Sequence, residues 1–270
     1  FGKKILDQIG LPKNKIFWYF LNPFIIIELT GNLHLESVMI FFLLTSFYLL
    51  LRGKLIFGAV LFACSVGVKL IPLIFLPLLF KKLGAKKFLI YALVIAFSLL
   101  LLFIPLLSDE FLANYLATTA LWFEKFEFNA GIYYLIRYLG YEFTGYNIIA
   151  LAGKILAAIV LCFVILLSFL RKNKETRTLL TSMVCAISVY YFLATTVHPW
   201  YLALPLILSI FTTYKFVQLW AFLVILSYAA YGLSGFEENQ FLIAIEYIFV
   251  LGFLTWELIG KKMGKKKTLP

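Results

Sequence analysis

Apolar runs close to the length of a membrane span recur along this chain, separated by short joints that are either basic or acidic. An α-helix needs roughly 20 apolar residues to cross the hydrocarbon core of a bilayer, and there it satisfies its own backbone hydrogen bonds. The pattern predicts an all-α polytopic membrane protein. Lys and Arg gather in the joints 3–15, 52–54, 81–87, 171–177, 215 and 261–267, which the positive-inside rule assigns to the cytoplasmic face. Threading the apolar runs between them predicts about ten membrane-embedded helical segments at ~20 residues per crossing. In order these are 16–30, 35–51, 55–68, 69–80, 88–107, 148–170, 178–197, 199–214, 216–233 and 241–260. The third and fourth are short and share basic outer ends, so they read as a hairpin broken at Lys69-Leu70-Ile71-Pro72. Every external joint then comes out acidic or neutral, although only Lys and Arg set the sides. Segment 108–147 is too long for a simple connection and forms one large external, aromatic-rich loop.

Composition agrees: 63% hydrophobic and 19% aromatic residues leave too little polar surface to coat a soluble globule. The excess of 24 Lys and Arg over 13 Asp and Glu would suggest a nucleic-acid partner if it were spread evenly. Its confinement to the joints assigns it to membrane topology instead. Cys64, Cys162 and Cys185 fall inside predicted spans with no pairing pattern and read as buried thiols. No metal motif or cofactor is implied. The reading is a single transmembrane domain over 1–270, ending in a basic cytoplasmic tail at 261–270. Because the chain opens at Phe1 in a basic, inside-type segment, a preceding N-terminal part is expected.

Two polar islands hold both histidines: Gly31-Asn32-Leu33-His34-Leu35-Glu36 and Thr195-Thr196-Val197-His198-Pro199-Trp200-Tyr201. Charge placement puts both on the external face. Glu28, Asn32 and Glu36 are spaced four apart, which aligns them on one helical face if Gly31 does not break it. Ionisable groups at a span rim are costly and usually have a partner or a task, although Glu28 and Glu36 also fit solvated helix ends. Lys69 stands among apolar residues at a Pro-interrupted break, where an ammonium beside freed backbone donors could hold a phosphate; the bland alternative is snorkelling. His198 could donate to a phosphate or polarise a hydroxyl, and Trp200 and Tyr201 suit an interface. In the external loop, Trp122, Glu124, Glu127 and Asn129 form either part of an aromatic belt or a platform that stacks on sugar rings and turns polar groups toward hydroxyls.

In order along the chain, Asn22-Pro23, Glu28-Leu29-Thr30-Gly31-Asn32-Leu33-His34, Lys69-Leu70-Ile71-Pro72 with Pro77, Phe128-Asn129-Ala130-Gly131-Ile132-Tyr133-Tyr134 and His198-Pro199-Trp200-Tyr201 resemble bacterial GT-C-type glycosyltransferases, in particular the mannosyltransferase-like branch. The resemblance implies inverting transfer of a sugar, mannose by analogy, from a polyprenyl-phosphate donor to an acceptor hydroxyl of a glycan, lipid or protein, on the external or periplasmic face of the cytoplasmic membrane. It assigns the donor phosphate to Lys69 and His198. The sugar or acceptor falls to Asn32, His34, Trp122, Glu124, Glu127, Asn129, Trp200 and Tyr201. It places the principal catalytic acid in the first external loop, upstream of Phe1, and leaves Glu36 and Glu28 as weaker catalytic candidates in a chain that by itself could be inactive. Whether a divalent ion helps neutralise the phosphate stays open. A lipid-linked glycan flippase or small-solute transporter also needs a broken helix and buried charges, but polar residues at one rim and the lack of internal repeats favour the enzyme.

Overall fold

The computed structural model describes residues 1–232 and 235–267; the side chains of 119, 120, 122–124 and 261–267 fall outside that description. Among the described residues, the α-helices of seven or more residues are α1 (Gly2–Gln8), α2 (Glu36–Leu51), α3 (Leu55–Val68), α4 (Ala85–Phe103), α5 (Asp109–Glu124), α6 (Ile132–Thr144), α7 (Ile149–Leu170), α8 (Thr176–Leu193), α9 (Ala203–Ser209), α10 (Phe216–Leu223) and α11 (Gln240–Lys267). The strands β1 (Tyr231–Gly232) and β2 (Gly235–Phe236) pair antiparallel ahead of α11.

The expectation of about ten spans is corrected. Among the described residues four helical stretches are long and apolar enough to cross a membrane: Ala85–Leu106, Ile149–Leu170, Thr176–Leu193 and Gln240–Gly260. A fifth would be the pair Pro23–Gly31 and Glu36–Leu51, bent by 108°. The stretches Leu55–Val68, Pro199–Ser209 and Phe216–Ala230 are apolar but shorter; at ~1.5 Å per residue, fewer than 18 residues fall short of a ~30 Å core. Proline and backbone geometry cut these runs. Pro23 follows Asn22, whose side chain accepts from the Phe24 N–H, and a π-helical stretch Ile26–Gly31 comes next. The predicted break after α3 is present: Lys69 is extended (φ −158°, ψ 136°), and 3₁₀ turns over Ile71–Phe75 and Pro77–Leu79 replace an α-helix.

Helix α3 packs between α2 and α4, while α7 packs on α8 and α10 on α11. At the first contact Ser46 Oγ donates to the Gly58 carbonyl (2.7 Å) and Ser65 Oγ to the Met39 carbonyl (2.8 Å). Gly58 permits this approach, since a Cβ there would stand 3.2 Å from the Ser46 carbonyl oxygen. On α4 only Tyr91 and Ile95 are buried, and Leu89, Leu93, Phe97 and Leu100 face outward, as lipid-facing positions require. The basic joints meet one another at one end of the molecule. Arg177 donates to the Ile9 carbonyl (2.7 Å), Gln8 to Leu51 (3.1 Å), Lys15 to Thr212 (3.4 Å), and Lys82 to Lys174 (3.0 Å).

Segment 108–147 is two helices. Ser108 caps α5 by accepting from the Phe111 N–H (3.0 Å), and α5 ends at Lys125. The chain then runs beside 195–197 in a short parallel bridge before α6 begins. Helix α6 is amphipathic, burying Tyr133, Tyr134 and Gly140 while Leu135, Tyr138 and Phe143 are exposed.

Candidate functional site

The end of the molecule opposite the basic joints holds both polar islands. Glu28, nearly solvent-free, accepts from Tyr228 Oη (2.8 Å) and Asn32 Nδ2 (3.2 Å), and lies 3.5 Å from His34 Nε2. Leu33 adopts a left-handed backbone (φ 55°) that a non-glycine residue rarely takes. This turn lies between Asn32 and His34 and leaves the Leu33 side chain exposed.

Glu36, also buried, is ion-paired with Lys69, whose ammonium lies 3.8 Å from the centre of the Tyr201 ring. The break at Lys69 places the ammonium here: after Val68 the backbone leaves the helix, so the side chain reaches both the first turn of α2 and the 3₁₀ segment Pro199–Leu202.

A continuous stack of flat rings joins the two islands. His34 lies on Trp200 (3.9 Å between centres, 17°), Trp200 on His198 (4.4 Å, 6°), and His198 on Phe128 (4.9 Å, 28°). Phe128 is held by backbone pairing, its N–H donating to the Thr195 carbonyl (3.1 Å) and its carbonyl accepting from the Val197 N–H (2.8 Å). Burial, with Lys69 and His34 nearby, pushes His198 down to about 4. It is therefore a neutral imidazole near pH 7.

Of these residues Lys69, His198, Trp200 and Tyr201 line a cavity of about 690 Å³, together with the Thr195 and Thr196 wall and residues of α5 and α7. A second cavity of about 260 Å³ shares Leu70, Ile71, Ala157, Val160 and Tyr190 with it and extends to Ile74 and Leu161. The composite space is polar at the end holding Lys69 and His198, and apolar along α7.

The external-loop candidates sit elsewhere. Glu127 is engaged by Tyr133, Arg137 and Asn147, the last donating over 2.6 Å. Asn129 is fully buried: its N–H donates to Glu238 (2.6 Å), its side-chain amide to Glu246 (3.2 Å), and its carbonyl accepts from Tyr247 (2.8 Å). These two residues tie the loop to α6, α7 and α11 rather than line the cavity. The side chains of Trp122 and Glu124 lie outside the described residues. Asn32, His34, Glu28 and Glu36 stand behind the cavity wall, touching its lining through Lys69 and Trp200. Tyr228, Glu238 and Tyr190 were not singled out in the sequence, because an isolated Tyr or Glu near a predicted span end carries no spacing signal.

Gly131 lies under this framework. A Cβ there would meet the Tyr247 ring at 2.4 Å, and that ring is anchored by its hydroxyl to Asn129. Gly131→Ala is expected to cost about 1–3 kcal/mol by overpacking, read as a lowered thermal midpoint in detergent; an unchanged midpoint would show that Tyr247 swings away freely.

The polar chamber and the apolar groove share five lining residues, so the composite space has a cationic, aromatic end and an apolar one, within a chain whose long apolar helices suggest a membrane protein. More particularly, residues 2–83 match the family model described as Alpha-(1->6)-mannopyranosyltransferase, N-terminal domain. The matched stretch contains Glu28, Asn32, His34, Glu36 and Lys69, and it supports a mannosyltransferase relationship and glycosyltransferase activity in general terms. No curated protein and no solved structure matches the chain.

Proposed function

We propose that this protein is a membrane mannosyltransferase that uses a polyprenyl-phosphate sugar as donor and a hydroxyl of a glycan, lipid or protein as acceptor, at the external face of the cytoplasmic membrane. The observation that carries the reading is the composite cavity: Lys69 and His198 line its chamber, and the apolar groove along α7 leads away from them. The apolar groove matches an isoprenoid chain in chemistry, and the cationic chamber matches its phosphate. The family match over residues 2–83 supplies the sugar.

In this reading the donor phosphate takes the Lys69 ammonium from Glu36, and neutral His198 donates a hydrogen bond to a phosphate oxygen. The acceptor oxygen attacks the anomeric carbon opposite the phosphate. The bond from that carbon to the phosphate oxygen breaks with its electron pair going to the phosphate, so the configuration inverts. A carboxylate accepts the hydroxyl proton; within this chain Glu36, relieved of its cation, is the first candidate and Glu28 the second. Trp200 and Tyr201 line the chamber beside the sugar; the faces of Trp200 are taken by His34 and His198, so it meets the sugar with its ring edge, with Asn32 and His34 behind. The Lys69 charge stabilises negative charge developing on the leaving phosphate in a site shielded from water, where such interactions are strongest.

The test is to reconstitute the full-length protein in vesicles with labelled polyprenyl-phosphate mannose and an acceptor-lipid extract. Labelled product without transbilayer scrambling of the donor is the expected result. Scrambling without product would overturn the reading in favour of a flippase.

A further inference from the structure

Tyr190 of α8 lines both the polar chamber and the apolar groove and is the one residue of the groove wall with a polar side-chain atom. It is half-buried, and its ring contacts Tyr191. Among the described residues no hydrogen bond reaches its hydroxyl, as is also true of Tyr19 and Tyr191, whereas Tyr91, Tyr133, Tyr134, Tyr228 and Tyr247 each donate to a protein oxygen or pair with a hydroxyl. Placing a hydroxyl without a partner in an apolar wall costs free energy that packing does not return. A Phe would line the same groove without that cost. Unlike Tyr19 and Tyr191, Tyr190 lines both cavities, so its hydroxyl stands where a ligand atom at the boundary between the two compartments can reach it.

We propose that Tyr190 is a specificity-determining residue that donates a hydrogen bond to the ester or terminal oxygen of the donor phosphate, at its junction with the isoprenoid chain. The inference rests on the lipid-phosphate reading above and sharpens it. Lys69 and His198 line the chamber side of that junction, while Leu70, Ile71, Ala157 and Val160 surround the start of the chain. Tyr190 thereby fixes how far the lipid slides along the groove, and so where the anomeric carbon sits. An alcohol of the same chain length would fill the groove yet forgo the charge-assisted part of the contact, since hydrogen bonds to charged acceptors are about twice as strong as neutral ones. The residue would thus tell a polyprenyl phosphate from a polyprenol.

The experiment compares undecaprenyl phosphate with undecaprenol as competitors of mannosyl transfer by the full-length protein in vesicles, for wild type, Tyr190→Phe and Ala157→Leu. Wild type is expected to be inhibited more strongly by the phosphate. Tyr190→Phe is expected to lower that preference about 5-fold, the excess of a hydrogen bond to a charged acceptor over one to a neutral hydroxyl, with a smaller loss of inhibition by the alcohol and a thermal midpoint that is not lowered. Ala157→Leu narrows the groove and is expected to weaken both competitors equally, leaving the preference intact. A preference unchanged in Tyr190→Phe would overturn the role of Tyr190 while leaving the lipid-phosphate reading standing. If wild type itself does not distinguish phosphate from alcohol, the lipid-phosphate reading fails and the inference falls with it.

Discussion

Lys69→Met is expected to reduce mannosyl transfer by at least ~100-fold, the usual consequence of removing one preorganised group that stabilises developing negative charge. The same change strips the cation from Glu36, a carboxylate with only 5% of its side-chain surface exposed. Breaking one partner of a buried ion pair costs about 3–5 kcal/mol, because the other charge is left uncompensated. Loss of activity in the single variant therefore mixes a catalytic and a structural effect. The double variant Lys69→Met with Glu36→Gln isolates the structural part: with both charges gone, the thermal midpoint is expected to return close to that of wild type, while transfer stays absent because the phosphate ligand and the first-candidate base are both removed. Recovery of transfer along with stability would make Lys69 a structural counter-ion and remove it from phosphate binding. Lys69→Arg is expected to keep the ion pair and part of the activity, since the longer planar guanidinium cannot place its charge over Tyr201 in the same way.

Acidification from pH 7 to pH 5 is expected to destabilise the wild type by about 2 kcal/mol more than it destabilises His198→Gln, at 1.36 kcal/mol per pH unit over the interval in which only the unfolded chain takes up the proton. The sign follows from the direction of the shift. In the folded protein His198 is pushed down from 6.5 to about 4, first by burial and then by the nearby Lys69 and His34. Its contribution to stability is thus fully present above 6.5 and is lost as pH falls toward 4. The ring stack transmits this to the site, because a charged His198 must sit between Trp200 and Phe128. Thermal unfolding in detergent at the two pH values, for wild type and His198→Gln, provides the measurement; parallel pH responses would show that His198 titrates as an open, solvated imidazole.

Much of this architecture is legible in the one-dimensional pattern. Apolar runs over 88–107, 148–170, 178–197 and 241–260 predict helices close to the four that are long enough to cross a membrane. The break at Lys69 follows from Pro72 and Pro77, which cannot continue an α-helix, and the clustering of basic joints foretells the end at which Arg177, Lys82 and Lys15 reach neighbouring loops. Runs 16–30, 199–214 and 216–233 misled because hydropathy does not report backbone continuity. Each is mostly apolar, yet Asn22-Pro23, Pro199 with Pro205, and a 3₁₀ stretch over Val224–Ala230 cut it into pieces too short to span.

The candidate site divides in the same way. Composition and charge distribution by themselves determined that His34, His198, Glu28, Glu36 and Lys69 are exceptional, because an ionisable or aromatic-polar group among apolar residues is costly whatever the fold. Which of them meet was decided by tertiary structure alone. Lys69 and Glu36 are 33 residues apart, and Tyr228 reaches Glu28 across 200 residues. Asn129 likewise meets Glu246 and Glu238 across more than 100 residues. Such pairings depend on where helix packing brings distant segments together, and a local pattern of hydrophobic and polar positions specifies the face of a helix but not the neighbour that covers it.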